Sequence, residues 1–293
     1  MKLLTDCPIC LNQSLSTYSM RFESKFPHIS RTICDSCEIV FANPVSEPHE
    51  LDAFYANYYE KGNFAALGYK EKMLTAFNEI EQMKLHQLKR YDKNLRFYKK
   101  EGNYLDVGFG LGLNLYVAKK LGFAVFGTEL DHDCIDYVSK HITNASLFHG
   151  DLIHANYPNS HFDIINICHV IEHLINPMSY IKELRRILNI EGIVIVSTPN
   201  IGAFAYRAFR VFNFFQLKIP SIVDGLEHTV LFNKRNLKLS FEQNGFKVIT
   251  HFTESVDDTW SNIWKSKLSL KKKILRFVQT KVHINQVMIA MKS

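Results

Sequence analysis

Residues 103–131 read NYLDVGFGLGLNLYVAKKLGFAVFGTELD, and this segment predicts how the chain folds. A short apolar run comes first, then Gly108, Gly110 and Gly112, and then a helical pattern. Glycine has no Cβ, so the chain can turn sharply here and a ligand can approach the backbone closely. The first turn of the following helix offers unpaired N–H groups to an anionic group. The segment therefore predicts a ligand-binding turn between a β-strand and a helix.

A carboxylate follows at the end of a second apolar run, residues 123–128. At that place Glu129 can accept two hydrogen bonds from a ribose diol. The glycine spacing is D-x-G-x-G-x-G from Asp106, whereas dinucleotide-binding folds favour G-x-G-x-x-G. The motif indicates an adenosine-type cofactor in a βαβ unit, and by itself it leaves the identity of that cofactor open.

Composition limits the class of protein. A chain of 293 residues, 46% of them hydrophobic, is long enough for one large domain with a small appendage. No apolar run reaches the roughly 18 residues that a bilayer span needs. The first residues lack the features of a signal peptide, so we expect a cytoplasmic protein.

The net charge of +6 is modest and comes largely from two basic segments, residues 72–100 and 265–281. We interpret both segments as solvated helix faces, and an anionic substrate or membrane surface is the alternative. Neither segment resembles an arginine-rich patch, which argues against a nucleic-acid partner.

Four of the six cysteines form two C-x-x-C pairs, which match the ligands of a tetrahedral zinc site. The four are Cys7, Cys10, Cys34 and Cys37. Four thiolates close the coordination shell, so the predicted site is structural. Disulfides and a redox dithiol are the alternatives, but the chain lacks secretory features and a thioredoxin-like setting. Leu11 and Glu38 follow the pairs where glycine is common, so a looser turn or a weaker site is expected.

Strand and helix patterns continue to alternate after Glu129. The predicted helices cover residues 131–140, 177–188 and 234–245, and the predicted strands cover 145–148, 162–168, 192–197, 246–250 and 284–291. Seven strands that alternate with helices predict a doubly wound α/β fold with a Rossmann-like sheet. Asp151 follows the strand at residues 145–148, the third of the seven, where its carboxylate could accept a hydrogen bond from the exocyclic amine of adenine.

The predicted domain plan has three parts. Residues 1–45 form a zinc-ribbon module, residues 46–100 a helical connector, and residues 101–293 the α/β domain. Two insertions, 201–228 and 253–283, leave the carboxyl edge of the sheet and are expected to lie over a substrate.

In this order the segments resemble a class I S-adenosylmethionine-dependent methyltransferase. Within that superfamily they resemble a bacterial group with an N-terminal zinc-binding module, often encoded with enzymes of glycan and small-molecule biosynthesis. The resemblance covers nearly the whole chain. The matching segments are residues 105–112, 129, 150–151, 169–174, 191–199 and 227–232, together with the cysteine pairs.

The resemblance implies a set of S-adenosylmethionine contacts: Asp106, Gly108, Gly110, Gly112, Glu129, Leu130, Asp151, Leu152 and His169. The glycines would approach the methionine part, and Asp106 would hold its ammonium group. Glu129 would bind the ribose hydroxyls, while Asp151 and the backbone N–H of Leu152 would contact adenine.

Three histidines are candidate catalytic bases. His169 and His173 follow the fourth strand, at the edge where ligands bind in such sheets, and imidazole titrates near neutral pH. The alternative is that His169 only positions the cofactor and His173 packs against a helix. His228 follows the first insertion and is a candidate for substrate contact or catalysis. We expect Glu172 to orient a histidine or cap a helix.

The first insertion is rich in aromatic residues with arginines between them. We interpret it as a lid for an acidic group such as a nucleotide diphosphate, as an interfacial helix at a membrane, or as a packed helix. The predicted function is O- or C-methylation of a small-molecule acceptor, such as a sugar or glycan precursor. A zinc-bearing RNA methyltransferase and a non-catalytic cofactor-binding protein are the alternatives. The motifs leave the oligomeric state open.

Overall fold

The computed structural model describes residues 2–18, 29–45, 47, 50, 101–203, 228–254 and 285–293. The helical connector predicted for residues 46–100 lies almost entirely outside these residues, as do most of the two predicted insertions and the basic segment 265–281. The predicted three-part domain plan therefore stays a prediction.

In chain order the elements are β1 (Leu15–Thr17), β2 (Ser30–Cys34), β3 (Val40–Asn43), β4 (Asn103–Val107), α1 (Leu113–Lys120), β5 (Ala124–Glu129), α2 (His132–His141), β6 (Ser146–His149), β7 (Phe162–Cys168), a 3₁₀ turn (Ile171–His173), α3 (Pro177–Ile187), β8 (Leu188–Pro199), β9 (Val230–Leu231), α4 (Lys234–Glu242), β10 (Phe246–Glu254) and β11 (Asn285–Lys292). Bounds agree with the sequence patterns within a few residues, except that β8 and β10 are longer than predicted.

Seven of these strands form one sheet in the order β10-β11-β8-β7-β4-β5-β6. Strand β4 runs parallel to both β5 and β7, and β5 runs parallel to β6. Parallel strands that are covered on both faces read as continuous apolar runs, which is the pattern of β7. The sheet confirms the predicted Rossmann-like methyltransferase fold.

The chain divides into two compact units. The first, which we call the glycine-loop unit, comprises Glu47–Cys168, Lys182–Ile195 and Met291–Ser293. The second, which we call the cysteine unit, comprises Met1–Ser46, His169–Ile181 and Val196–Ala290.

Strands β4 and β7 form the buried centre of the glycine-loop unit. Leu105 and Ile165 lie opposite each other in the parallel register, and both are fully buried. Helix α2 begins at Asp131, whose side chain accepts a hydrogen bond from the Cys134 N–H. This N-cap satisfies one of the N–H groups that a helix start leaves unpaired.

The cysteine unit contains a four-stranded sheet in the order β1-β2-β3-β9. Strand β3 pairs antiparallel with β9, with Val40 opposite Leu231. Helix α4 begins with a capping box between Asn233 and Asn236. Within the described ranges, no helix is both long and apolar enough to cross a membrane.

Candidate cofactor site, histidine cluster and cysteine cluster

The predicted glycine loop connects β4 to α1. Gly108, Gly110 and Gly112 all have positive φ, at 67°, 54° and 74°. At Gly112 a Cβ would lie 2.7 Å from Cγ2 of Val138 on α2, so both the backbone conformation and the space require glycine. The loop therefore forms as the sequence predicts, with its backbone exposed to close approach.

Glu129 lies at the end of β5 and contacts the loop directly. Its Oε2 accepts a hydrogen bond from the Gly110 N–H at 2.7 Å, and its Oε1 accepts from the N–H of Leu130 at 2.7 Å. Burial raises the pKa of Glu129, although the backbone hydrogen bonds from Asp131, Gly110 and Leu130 lower it in part. The Asp131 N–H also donates to Oε1, at 3.1 Å. Three of the four lone pairs of the carboxylate are thus occupied, and the one left, on Oε2, can accept from a ligand hydroxyl.

Asp106 is buried at the end of β4, where one of its two carboxylate oxygens accepts a hydrogen bond. Oδ1 accepts a hydrogen bond from the Asn166 Nδ2 at 2.7 Å, whereas Oδ2 is buried without a hydrogen-bond partner among the described residues. Burial raises the pKa of Asp106 to about 7, against the lowering effect of Asn166 and Asn114. A buried carboxylate oxygen without a partner is costly, so Oδ2 is a candidate atom for binding a ligand.

Asn166 is a site residue that the sequence reasoning missed. It lies in β7, opposite Asp106 in the parallel register. The available signal was an amide between two isoleucines in a mostly apolar strand, because a buried polar side chain needs a partner.

Asp151 follows β6, as predicted. Glu129 pairs with His149 in the register of β5 and β6, so Asp151 comes two residues after the position opposite Glu129. Its Oδ1 accepts from the backbone N–H of His154 at 2.8 Å and lies 2.7 Å from His154 Nδ1. The next residue, Leu152, is fully buried, whereas Leu130 is partly exposed.

In the cysteine unit, the buried carboxylate of Glu172 contacts one of the predicted histidines. Its Oε1 lies 3.0 Å from His169 Nδ1, and its Oε2 accepts a hydrogen bond from Thr198 Oγ1 at 2.9 Å. Burial raises the pKa of Glu172, but the hydrogen bond from His169 and the charges of the three nearby histidines outweigh it and lower the pKa to about 2. Glu172 is therefore ionised at neutral pH.

His169 is the first residue after β7 and has φ 55°, a left-handed conformation that is uncommon for residues other than glycine. Desolvation lowers the pKa of His169, but the hydrogen bond and charge of Glu172 raise it above its usual value. An ionised carboxylate only accepts hydrogen bonds, so Nδ1 of His169 carries the proton. The neutral ring then presents Nε2 as its acceptor.

His173 and His228 lie beside this carboxylate. Their ring centroids are 4.8 Å apart, and the ligand atoms of Glu172, His173 and His228 all lie within 4.8 Å of one another. The structure thus places His169, His173 and His228, three separate candidates in the sequence analysis, around the carboxylate of Glu172. Arg31 was missed by the sequence reasoning: its Nη1 donates to the His228 carbonyl at 3.2 Å, across a sequence distance that no local pattern signals.

The four predicted cysteines lie together. Cys7 and Cys37 Sγ are 3.6 Å apart, Cys10 and Cys34 Sγ are also 3.6 Å apart, and all four sulfurs lie within 4.8 Å of one another. Disulfide sulfurs would be bonded at about 2.05 Å, so these are thiols. The hydrogen bond with Cys37 lowers the pKa of Cys7 to about 5, and the same bond raises the pKa of Cys37.

Both cysteine pairs close with the same turn, although neither has a glycine. The Leu11 N–H donates to the Cys7 carbonyl at 3.0 Å, and the Glu38 N–H donates to the Cys34 carbonyl at 2.9 Å. Leu11 and Glu38 have φ 58° and 61°, the left-handed conformation in which glycine is most easily accommodated. The turns therefore form at the expense of local backbone strain.

The family comparison identifies the α/β part of the chain. A family model described as a methyltransferase domain matches residues 80–251, more than half of the chain.

Curated relatives match a shorter part of the chain. A probable S-adenosylmethionine-dependent methyltransferase of Mycolicibacterium smegmatis is 28% identical over 96 residues, which is 33% of this chain and 37% of the relative. One from Mycobacterium tuberculosis is 27% identical over 93 residues, 32% of each chain. The match thus spans about a third of the length of these relatives.

Solved structures share the fold at low identity. A candidate sarcosine dimethylglycine methyltransferase from Galdieria sulphuraria has a TM-score of 0.51 and 12% identity, over 71% of this chain and 86% of that one. A chain from the complex of the Haloferax volcanii Trm112 methyltransferase activator with a candidate methyltransferase has a TM-score of 0.53 and 13% identity, over 84% and 99%. At these identities the likeness extends to the fold alone.

Proposed function

The chain belongs to the methyltransferase domain family, and from that premise we propose that it transfers a methyl group from S-adenosylmethionine to a small-molecule acceptor. The acceptor class we propose is a sugar, a glycan precursor or a comparable metabolite, methylated on oxygen or carbon. The observation that carries the proposal is the pair of carboxylates at the glycine loop, Asp106 and Glu129.

The residues at the glycine loop fit this cofactor. Asp106 Oδ2 is buried without a hydrogen-bond partner among the described residues, and an ammonium group can supply both the missing donor and the opposite charge. Glu129 is held against the Gly110 N–H and can still accept a hydrogen bond from one ribose hydroxyl through Oε2. Gly108 and Gly110 have positive φ and no Cβ, so the methionine part can approach their backbone closely.

S-adenosylmethionine, when bound, supplies an electrophilic methyl group on a sulfonium. The chain must bind and orient both reactants, exclude water and remove a proton from a hydroxyl or carbon acceptor.

We assign proton removal to His169. Glu172 holds the proton on Nδ1, so Nε2 is the atom that accepts, and the side chain is 45% exposed and thus reachable. Glu172 orients the ring and stabilises the imidazolium that proton transfer creates.

The four cysteines fit a structural zinc ion. A tetrahedral site with Zn–S bonds of about 2.3 Å places its sulfurs about 3.8 Å apart. The two pairs at 3.6 Å are close to this distance, and four thiolates leave no position for a substrate. We therefore infer that zinc stabilises the cysteine unit and takes no part in the chemistry.

The test is calorimetry with S-adenosylmethionine, followed by an assay of S-adenosylhomocysteine formation with a panel of sugar nucleotides and simple glycans. We expect binding by the folded, zinc-loaded chain and turnover with at least one acceptor. His169→Gln should abolish turnover and leave cofactor affinity unchanged, with the exposed His141→Gln as the matched control. Absence of cofactor binding would refute the proposal, and full turnover by His169→Gln would remove His169 as the base.

A further inference from the structure

Glu172, His173 and His228 form a second group of metal-ligating side chains, distinct from the cysteine cluster. Their ligand atoms lie within 4.8 Å of one another. Ligands to one ion at about 2.1 Å are separated by about 3.4 Å in a tetrahedral shell and by about 4.2 Å across an octahedral one. The observed upper limit of 4.8 Å exceeds these spacings by only about 0.6–1.4 Å.

The charge of this group also favours a cation. Glu172 is fully buried, and its hydrogen-bond partners among the described residues are the His169 ring and the Thr198 hydroxyl, neither of which is a lysine or arginine. A buried carboxylate is costly unless opposite charge compensates it. A divalent cation bound by this carboxylate and two neutral imidazoles supplies that charge, in the ligand combination that open zinc and iron sites use.

Each of the three ligand residues is held by a further hydrogen bond. Thr198 Oγ1 donates to Glu172 Oε2 at 2.9 Å, Thr229 Oγ1 donates to the His173 carbonyl at 3.2 Å, and Arg31 Nη1 donates to the His228 carbonyl at 3.2 Å. The Thr198 contact orients the ligating carboxylate, as outer contacts in metal sites do, and the other two fix the backbone that carries the histidines. Arg31 is itself only 8% exposed, so a buried side chain makes the contact with His228.

We propose that Glu172, His173 and His228 bind a divalent transition-metal ion with coordination positions open to oxygen ligands. Three protein ligands leave at least one position open, unlike the closed set of four cysteines. In an octahedral shell they leave three, which is enough for a ligand with two neighbouring oxygens, such as a vicinal diol or a hydroxy acid. A role for this ion in methyl transfer rests on the proposed function, whereas the binding of the ion does not.

The experiment is a stepwise exchange of the metals of the full-length, folded chain for Co²⁺, so that the cysteine site is never left empty, followed by absorption spectroscopy without cofactor or acceptor. We expect two equivalents: one with strong near-ultraviolet sulfur-to-metal charge transfer, and one with only the weaker visible bands of nitrogen and oxygen ligands. His228→Ala should weaken the second equivalent at least tenfold and leave the first unchanged. Cys10→Ser should disturb the first equivalent and preserve the second.

His141→Ala on α2 is the matched control and should retain both equivalents. Circular dichroism of each variant establishes that it is folded, and His173→Ala is the substitute if His228→Ala does not fold. A wild-type chain that binds one equivalent, with a thiolate spectrum, would overturn the proposal. So would a second equivalent that survives unchanged in the folded His228→Ala or His173→Ala chain. Because the experiment measures metal binding and not turnover, either result would overturn the metal site without deciding the proposed methyl transfer, which calorimetry and the turnover assay test.

Discussion

Asp106 should make the binding of S-adenosylmethionine depend on pH. Burial holds its pKa at about 7 in the free protein, so near neutral pH about half of the molecules carry the neutral acid. The cationic ammonium group of the cofactor favours the carboxylate, so binding lowers this pKa and releases a proton. Affinity therefore rises as pH increases through 7.

The size of this effect follows from the pKa. If only the ionised form binds, the dissociation constant scales as one plus the ratio of neutral to ionised Asp106. For a pKa of about 7, that factor is about 11 at pH 6 and about 2 at pH 7. The affinity should thus increase about fivefold over this interval, or about 1 kcal/mol.

Calorimetry at pH 6 and pH 7, in two buffers of different ionisation enthalpy, measures both the affinity and the number of protons released. Asp106→Asn keeps the size and the hydrogen-bond geometry but cannot ionise, so it should bind the cofactor more weakly and without this pH dependence. Equal affinity of the wild-type chain at both pH values would refute the reasoning, as would an Asp106→Asn chain that keeps the fivefold change.

Three further predictions concern the glycine loop and the cysteine turns. Glu129→Ala should weaken cofactor binding by roughly 1–3 kcal/mol through lost charge-assisted hydrogen bonds, and unchanged affinity by calorimetry would mean that the ribose site lies elsewhere. Gly112→Ala places a Cβ 2.7 Å from Val138 in a left-handed backbone, whereas Gly122 has φ 98° but nothing within 4 Å of such an atom. Urea denaturation should therefore show a larger loss of unfolding free energy for Gly112→Ala than for Gly122→Ala, and equal losses would exclude the clash as the cause. Leu11→Gly relieves left-handed strain at an exposed residue and should raise the free energy of unfolding of the zinc-loaded chain by about 0.5–1 kcal/mol, while a decrease would show that the leucine side chain stabilises the turn.

Much of the cofactor site could be predicted from local sequence. The glycine loop must follow a strand and precede a helix, and Glu129 ends the next strand, so β4–α1–β5 connectivity alone brings them close. The contact of Glu129 with the Gly110 N–H is the result. Asn166 could not be found this way, because its contact with Asp106 exists only when β7 pairs with β4 in one particular register.

Local sequence predicts even fewer of the contacts in the histidine cluster. His169, Glu172 and His173 are close in sequence, and their proximity follows from one short turn. Thr198, His228 and Arg31 come from segments far apart along the chain. The contact between Arg31 and His228 requires that β3 pairs with β9.

Local sequence specifies the elements, the glycine turn and the candidate ligands, because these depend on periodicity, backbone conformation and side-chain chemistry within a few residues. Which of those side chains share a charge or a proton depends instead on the folded arrangement of the strands. The buried, half-satisfied Asp106 and the ionised Glu172 owe their state to burial and to partners on distant strands. Electrostatic energy depends on distance and desolvation, and neither quantity exists until the chain has folded.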